Sequence, residues 1–166
     1  MDLTALFKMS YGLYVVSADD GEQRAGCLIN TATQVTAEPP RLMVAVNKEN
    51  VTAGVIARAG KFAVTAVDIT ADMPYLGNFG FRCSADYDKF ATYGVTEAAG
   101  VPYCPDHACA VYVCRLIDTV DVGTHYLFVG EVEVSERLND EEPMTYSYYH
   151  TTLKGKTPKK ASSYQA

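Results

Sequence analysis

Between Asn30 and Thr52 the chain changes character three times, and that succession restricts what the whole sequence can form. Asn30-Thr31-Ala32-Thr33-Gln34-Val35-Thr36 places short hydrogen-bonding side chains where a buried strand would stay apolar. Pro39-Pro40 then interrupts any ladder, because neither residue has an amide hydrogen to donate. Leu42-Met43-Val44-Ala45-Val46 follows as an apolar strand buried on both faces. Asn50 is a good N-cap for a helix over 51–59, with Val51, Val55, Ile56 and Ala59 facing inward and Gly60 ending it. The polar stretch suits the edge of a flat heteroaromatic ring. The helix entry, with Lys48 and the Thr52 hydroxyl near its unpaired amides, suits a phosphate. Each half also has a plainer reading, as a threonine-rich edge strand and as a capped surface helix.

The flanking segments predict a mainly β protein. Leu3, Leu6 and Phe7 share one face of a short amphipathic helix. Gly12–Ala18 and Ala25–Ala32 read as a hairpin across Asp19-Asp20-Gly21, where glycine can take positive φ. Lys61–Val67 is a strand, Asp72 caps a helix near 73–79, and 86–93 is a short helix or loop. Gly100, Pro102 and Pro105 mark a loop. His107–Val120 pairs with Tyr126–Val134, whose valines 132 and 134 alternate with Glu131 and Glu133. About six strands and three or fewer short helices, without strict alternation, argue for a β-barrel with helical plugs. One domain over 1–153, followed by a basic, solvated tail over 154–166, accounts for the whole chain.

Composition removes several function classes. The net charge is −6, although Lys154, Lys156, Lys159 and Lys160 lie in a stretch without acids, so the body is strongly acidic. An acidic body repels a nucleic-acid backbone. The start Met-Asp-Leu-Thr carries no positive leader, and the apolar run at 11–16 is too short to span a membrane. Together with five cysteines, an odd number, this predicts a cytoplasmic protein with reduced thiols. Cys104, Cys109 and Cys114 recur every five residues, which is not metal-ligand spacing, and the three histidines lack it as well. Neither a Gly-x-Ser-x-Gly elbow nor a Gly-x-Gly-x-x-Gly fingerprint occurs. Twelve tyrosines without tryptophan suit a surface that stacks on something flat. Those at 146, 148 and 149 can close over a cofactor, fill a dimer seam or form a strand.

Taken together, the motifs resemble the flavin reductase-like proteins with the FMN-binding split barrel. The match runs through Gly12-Leu13-Tyr14-Val15-Val16, Asn30-Thr31, Gln34-Val35-Thr36-Ala37-Glu38-Pro39-Pro40, and Val46-Asn47-Lys48-Glu49-Asn50 with Thr52. It continues through Asp88-Lys89-Phe90, Val122-Gly123-Thr124-His125, Gly130-Glu131-Val132 and Glu142-Pro143-Met144-Thr145-Tyr146. Within that family the chain is most similar to the flavoprotein half of high-molecular-weight rubredoxins and to flavoredoxins. The resemblance implies one FMN per subunit near a homodimer interface. Asn30, Thr31, Gln34, Val35 and Thr36 match positions around the ring. Asn50, Thr52 and Lys89 match positions around the phosphate, with Lys48 nearby, and Asn47 matches a cofactor-binding position. His125 matches a histidine beside the ring where substrate or nicotinamide approaches, and Tyr149 matches an aromatic near the flavin. Many members have Gly-Asp-His where this chain has Gly123-Thr124-His125. The implied activity takes electrons from NADH or NADPH through FMN to an acceptor such as flavin or a separate rubredoxin. The rival reading is a carrier that relays electrons between proteins without using nicotinamide.

Overall fold

The computed structural model describes residues 1–164. Seven strands form one antiparallel sheet: β1 (Tyr14–Asp19), β2 (Arg24–Ile29), β3 (Ala32–Ala37), β4 (Pro40–Asn47), β5 (Lys61–Val67), β8 (Ala108–Asp121) and β9 (His125–Arg137). Their spatial order is β2-β1-β5-β8-β9-β4-β3. The two edge strands, β2 and β3, are therefore consecutive in sequence and joined by Asn30-Thr31. The sheet must curl for so short a link to connect its ends, and the Ala45 amide donates to the Thr31 carbonyl (3.0 Å) near that seam. One buried cluster confirms the closure. Val16 of β1, Cys27 of β2, Val44 of β4, Phe62 of β5, Cys114 of β8 and Phe128 of β9 share it with Val55 and Ile56 of helix α1 (Val51–Ala59).

β1 is buried on both faces. Val16 and Ala18 point into the barrel, whereas Val15 joins an outer layer built on helices α2 (Met73–Phe81) and α3 (Tyr146–Thr151). The strand and helix propensities thus serve one arrangement: a barrel plugged by α1 and flanked by two short helices. Asp72 caps α2 as its sequence predicts, its carboxylate accepting from the Tyr75 amide (2.9 Å). Gly60 ends α1 at φ +67°, a conformation that costs glycine little.

Three local expectations are corrected. The N-terminal amphipathic segment is a 3-10 helix, Leu3–Lys8, with no buried residue. At six residues it is too short to persist as an α-helix without packing support, and Leu3, Leu6 and Phe7 remain about half or more exposed (50%, 49% and 66%). Of the two readings open for 86–93, helix or loop, the structure shows the second, a run of turns. The Gly100–Pro105 loop holds part of a small hairpin, β6 (Thr96–Ala98) with β7 (Val101–Tyr103), whose Val101 and Tyr103 cover Ala63, Val111 and Val113. Finally, residues 155–164 fold back on the body instead of extending into solvent, with Gly155 buried. The cysteines at 27, 104, 109 and 114 are buried thiols; burial pushes Cys104 up to about 11 and Cys114 to about 12.

Candidate functional site

The sheet seam opens into a cleft of about 620 Å³, counting space continuous with solvent. Its walls come from the end of β2 with Asn30 beyond it (Cys27 to Asn30), the end of β4 (Ala45, Asn47), the α1 entry (Asn50), the α2 end (Phe79, Gly80 and the C-cap Arg82), Lys89, Tyr146 and Tyr149 of α3, and the C-terminal segment.

Lys89 dominates the electrostatics. It is 4% exposed. Its ammonium donates to the carbonyls of Gly26 (2.7 Å) and Phe79 (3.1 Å), and its own carbonyl accepts from the Asn78 amide (2.8 Å). Burial lowers its pKa, and no carboxylate pairs with it among the described residues. A buried cation held only by neutral carbonyls calls for an anion in the cleft. Nearby, Asn50 occupies the N-cap position of α1 without making the usual side-chain cap bond. The Ala53 amide donates to the Asn50 backbone carbonyl (3.0 Å), and no cap side chain serves the amides that precede it. Thr52 is 1% exposed and hydrogen-bonds the Cys27 thiol, whose pKa burial raises against the pull of Lys89.

At the other end lie Asn30 and Tyr149. Asn30 is 4% exposed, and Tyr149 stacks on Tyr146 with centroids 5.7 Å apart and planes 11° apart. His125, at the start of β9, pairs through Nδ1 with the Thr124 hydroxyl (2.8 Å) and donates from Nε2 to the Lys160 carbonyl (3.2 Å). A carbonyl can only accept, so Nε2 carries the proton.

The structure thus gathers Asn30, Asn47, Asn50, Lys89 and Tyr149 around one cleft, with Thr52 buried behind it and Thr31 and His125 at its mouth. It does not bring Gln34, Val35 or Thr36 there within one chain. These lie on the exposed edge strand β3, where Gln34 donates to the Thr36 carbonyl (3.1 Å) and Thr36 to that of Pro39 (2.6 Å). Lys48 also turns away, pairing with Asp121 and lying 4.8 Å from the Tyr126 ring centroid. Residues not anticipated from sequence include Cys27, Arg82, Lys160 and Ser162. Only Cys27 carried a signal, as a thiol in an apolar strand.

The model of the flavin reductase like domain family matches residues 6–155. The chain belongs to that family. It is 41% identical over 99% of its length to the ferric-chelate reductase (NAD(P)H) of Archaeoglobus fulgidus, covering 98% of that protein. It is 39% identical to the high molecular weight rubredoxin of Moorella thermoacetica, over 99% of this chain and 72% of the relative. Among solved structures, the NADH:FAD oxidoreductase of Streptomyces globisporus superposes with a TM-score of 0.76 at 24% identity, covering 85% of this chain and 84% of that one. The flavoredoxin of Methanosarcina acetivorans gives 0.71 at 23%, over 77% and 69%. These two extend the flavin reductase-like fold to more distant sequences.

Proposed function

We propose that this flavin reductase-like protein is an FMN-dependent oxidoreductase that takes electrons from NADH or NADPH and delivers them to an acceptor such as free flavin, a ferric chelate or a separate rubredoxin. The observation that carries the reading is Lys89: a buried, carboxylate-free ammonium beside an α-helix entry whose cap side chain is unused. Those groups fit a phosphate monoester, with charge-assisted bonds from Lys89 and backbone amides from α1. Asn30, Asn47 and Tyr149 then face the ring end of the cleft, where amide groups meet a heterocycle edge and the tyrosine offers a flat apolar face. When bound, FMN supplies hydride and single-electron chemistry at N5. His125, at the mouth, orients the nicotinamide or acceptor.

The names of the relatives support both cofactor and reductant: Archaeoglobus ferric-chelate reductase (NAD(P)H) and the Bradyrhizobium FMN reductase (NADH), 30% identical over 139 residues. The Moorella relative supports a rubredoxin acceptor. A homodimer is part of the reading, because Val35 on the β3 edge and Leu3, Leu6 and Phe7 expose apolar surface that a second copy can cover. Sedimentation at micromolar concentration checks it, and a monomer rejects it. No described helix is long and apolar enough to cross a membrane, and a cytoplasmic location suits the free cysteines.

The deciding experiment is stopped-flow mixing of the FMN-loaded protein with NADH and with NADPH. Bleaching of the flavin band at physiological nicotinamide concentrations is expected. An intact flavin band that stays unbleached with both would favour the carrier reading, and failure to bind FMN at all would reject the cofactor assignment.

A further inference from the structure

Beyond α3 the chain turns back and crosses the mouth of the cleft. Gly155 is the pivot: a Cβ there would lie 2.1 Å from the Tyr149 ring, so only glycine passes without moving it. Three sets of contacts hold the residues beyond this pivot. On the α3 side, Tyr149 donates to the Lys156 carbonyl (2.9 Å) and Tyr146 pairs with the Thr157 hydroxyl (2.7 Å). Across the mouth, the Lys160 carbonyl accepts from His125, and its ammonium lies 3.6 Å from a Glu49 carboxylate oxygen. At the sheet seam, the Ser162 hydroxyl donates to Asn30 Oδ1 (3.0 Å) and pairs with that of Thr31 (2.6 Å), while Asn30 Nδ2 donates to Ser163 (2.6 Å).

The segment bridges both sides of the cleft, and Pro158, Lys160, Ala161 and Ser162 form one wall of it. No described residue after Gly155 is fully buried, so the cover rests on polar contacts that water can replace. Such a segment opens at low cost, while Gly155 stays anchored. Of its lysines, Lys160 lines the cleft that buries Lys89, with Glu49 beside its ammonium, while Lys156 and Lys159 are exposed. An anion in the cleft gains the Lys160 wall only when the segment is seated, so anion binding and closure reinforce each other, and the reinforcement is reciprocal.

We propose that residues 156–163 are a closing strap, hinged at Gly155, that retains an anionic flavin nucleotide and governs access to His125. This rests on reading the cleft as the flavin site. In the closed state the side-chain amide of Asn30 and Nε2 of His125 are engaged by the strap, so a second substrate reaches His125 only after Lys160 lets go.

The test combines tryptic cleavage after Lys159 and Lys160 with FMN release, measured by the recovery of flavin fluorescence on dilution. FMN is expected to slow cleavage of the intact chain at least tenfold. Removal of residues 157–166, and separately Ser162→Ala with Ser163→Ala, are expected to speed release, the truncation at least tenfold. Equal cleavage with and without bound FMN, or unchanged release from both variants, overturns the strap. Should the intact chain bind no FMN, the cofactor reading fails by itself. Asn30→Ala in flavin-free protein then decides the strap: faster cleavage supports its seating on the seam, and an unchanged rate rejects it.

Discussion

Lys89 couples binding to pH in two opposite directions. Its folded pKa is depressed below the ordinary 10.5, because burial disfavours the charged form. The unfolded chain therefore holds this proton to higher pH, and the lysine's penalty on flavin-free stability is relieved as pH rises from the folded value toward 10.5. Phosphate affinity must run the other way, since a neutral amine offers no charge. FMN titrations at rising alkaline pH are expected to weaken over the window in which Lys89 deprotonates. Lys89→Met should lose affinity roughly 10- to 100-fold, as expected for a charge-assisted bond of about 1.5–3 kcal/mol, and should flatten the pH profile. Asn50 offers a complementary case. Its side chain makes no cap bond, so Asn50→Ala should cost less than the ~1 kcal/mol of an ordinary cap loss while still weakening FMN binding. Urea melts and flavin titrations of the same variant separate the two effects. Asn50 is legible as a helix cap, whereas Lys89 and His125 are legible only through the resemblance to the family, since a lone lysine or histidine has a plainer surface reading. For Gln34 to Thr36 the plainer reading, a threonine-rich edge strand, describes their position within one chain: β3 lies at the sheet edge and outside the cleft lining.

At the scale of elements, the barrel depends on close passages that glycine permits. A Cβ on Gly130 of β9 would lie 2.6 Å from Cys114 Cβ and 2.7 Å from the Phe62 ring, both buried barrel residues. Neither neighbour can swing into solvent. Gly130→Ala should therefore destabilise by roughly 1–3 kcal/mol, the usual cost of overpacking, visible as a lower thermal midpoint without loss of the sheet signal. Strands with β-branched runs, such as β1, β4 and β5, were legible from composition and period, as was α2 from Asp72. The 3-10 turn at Leu3–Lys8, the short β6–β7 hairpin and α3 were not, because segments of three to six residues are decided by what they pack against. The strap was least legible. Its partners Asn30 and Thr31 lie more than 130 residues away in sequence, beyond any local pattern.

For the whole molecule, the cleft lies where the curled sheet is joined by a short link rather than by a continuous ladder. A ligand there would touch β2, β4, α1, α2 and α3 at once, since all five line the cleft. A ligand that binds only the folded chain adds about 2.7 kcal/mol at a hundred times its dissociation constant. For a domain of this size that amounts to roughly 5–10 °C in Tm, readable by calorimetry with and without FMN. An unchanged midpoint at saturating FMN would mean that the nucleotide binds outside the folded cleft or not at all.

The path of the strap also determines what a covalent neighbour would experience. Ser163 is hydrogen-bonded to Asn30, so any module joined downstream starts at the mouth of the cleft. A short flexible connection of that kind holds a tethered partner at an effective concentration in the millimolar range. An electron acceptor attached there needs almost no docking affinity of its own, whereas the same acceptor free in solution must find and hold the mouth unaided. The point of attachment, more than any shared interface, sets how fast the two would exchange electrons.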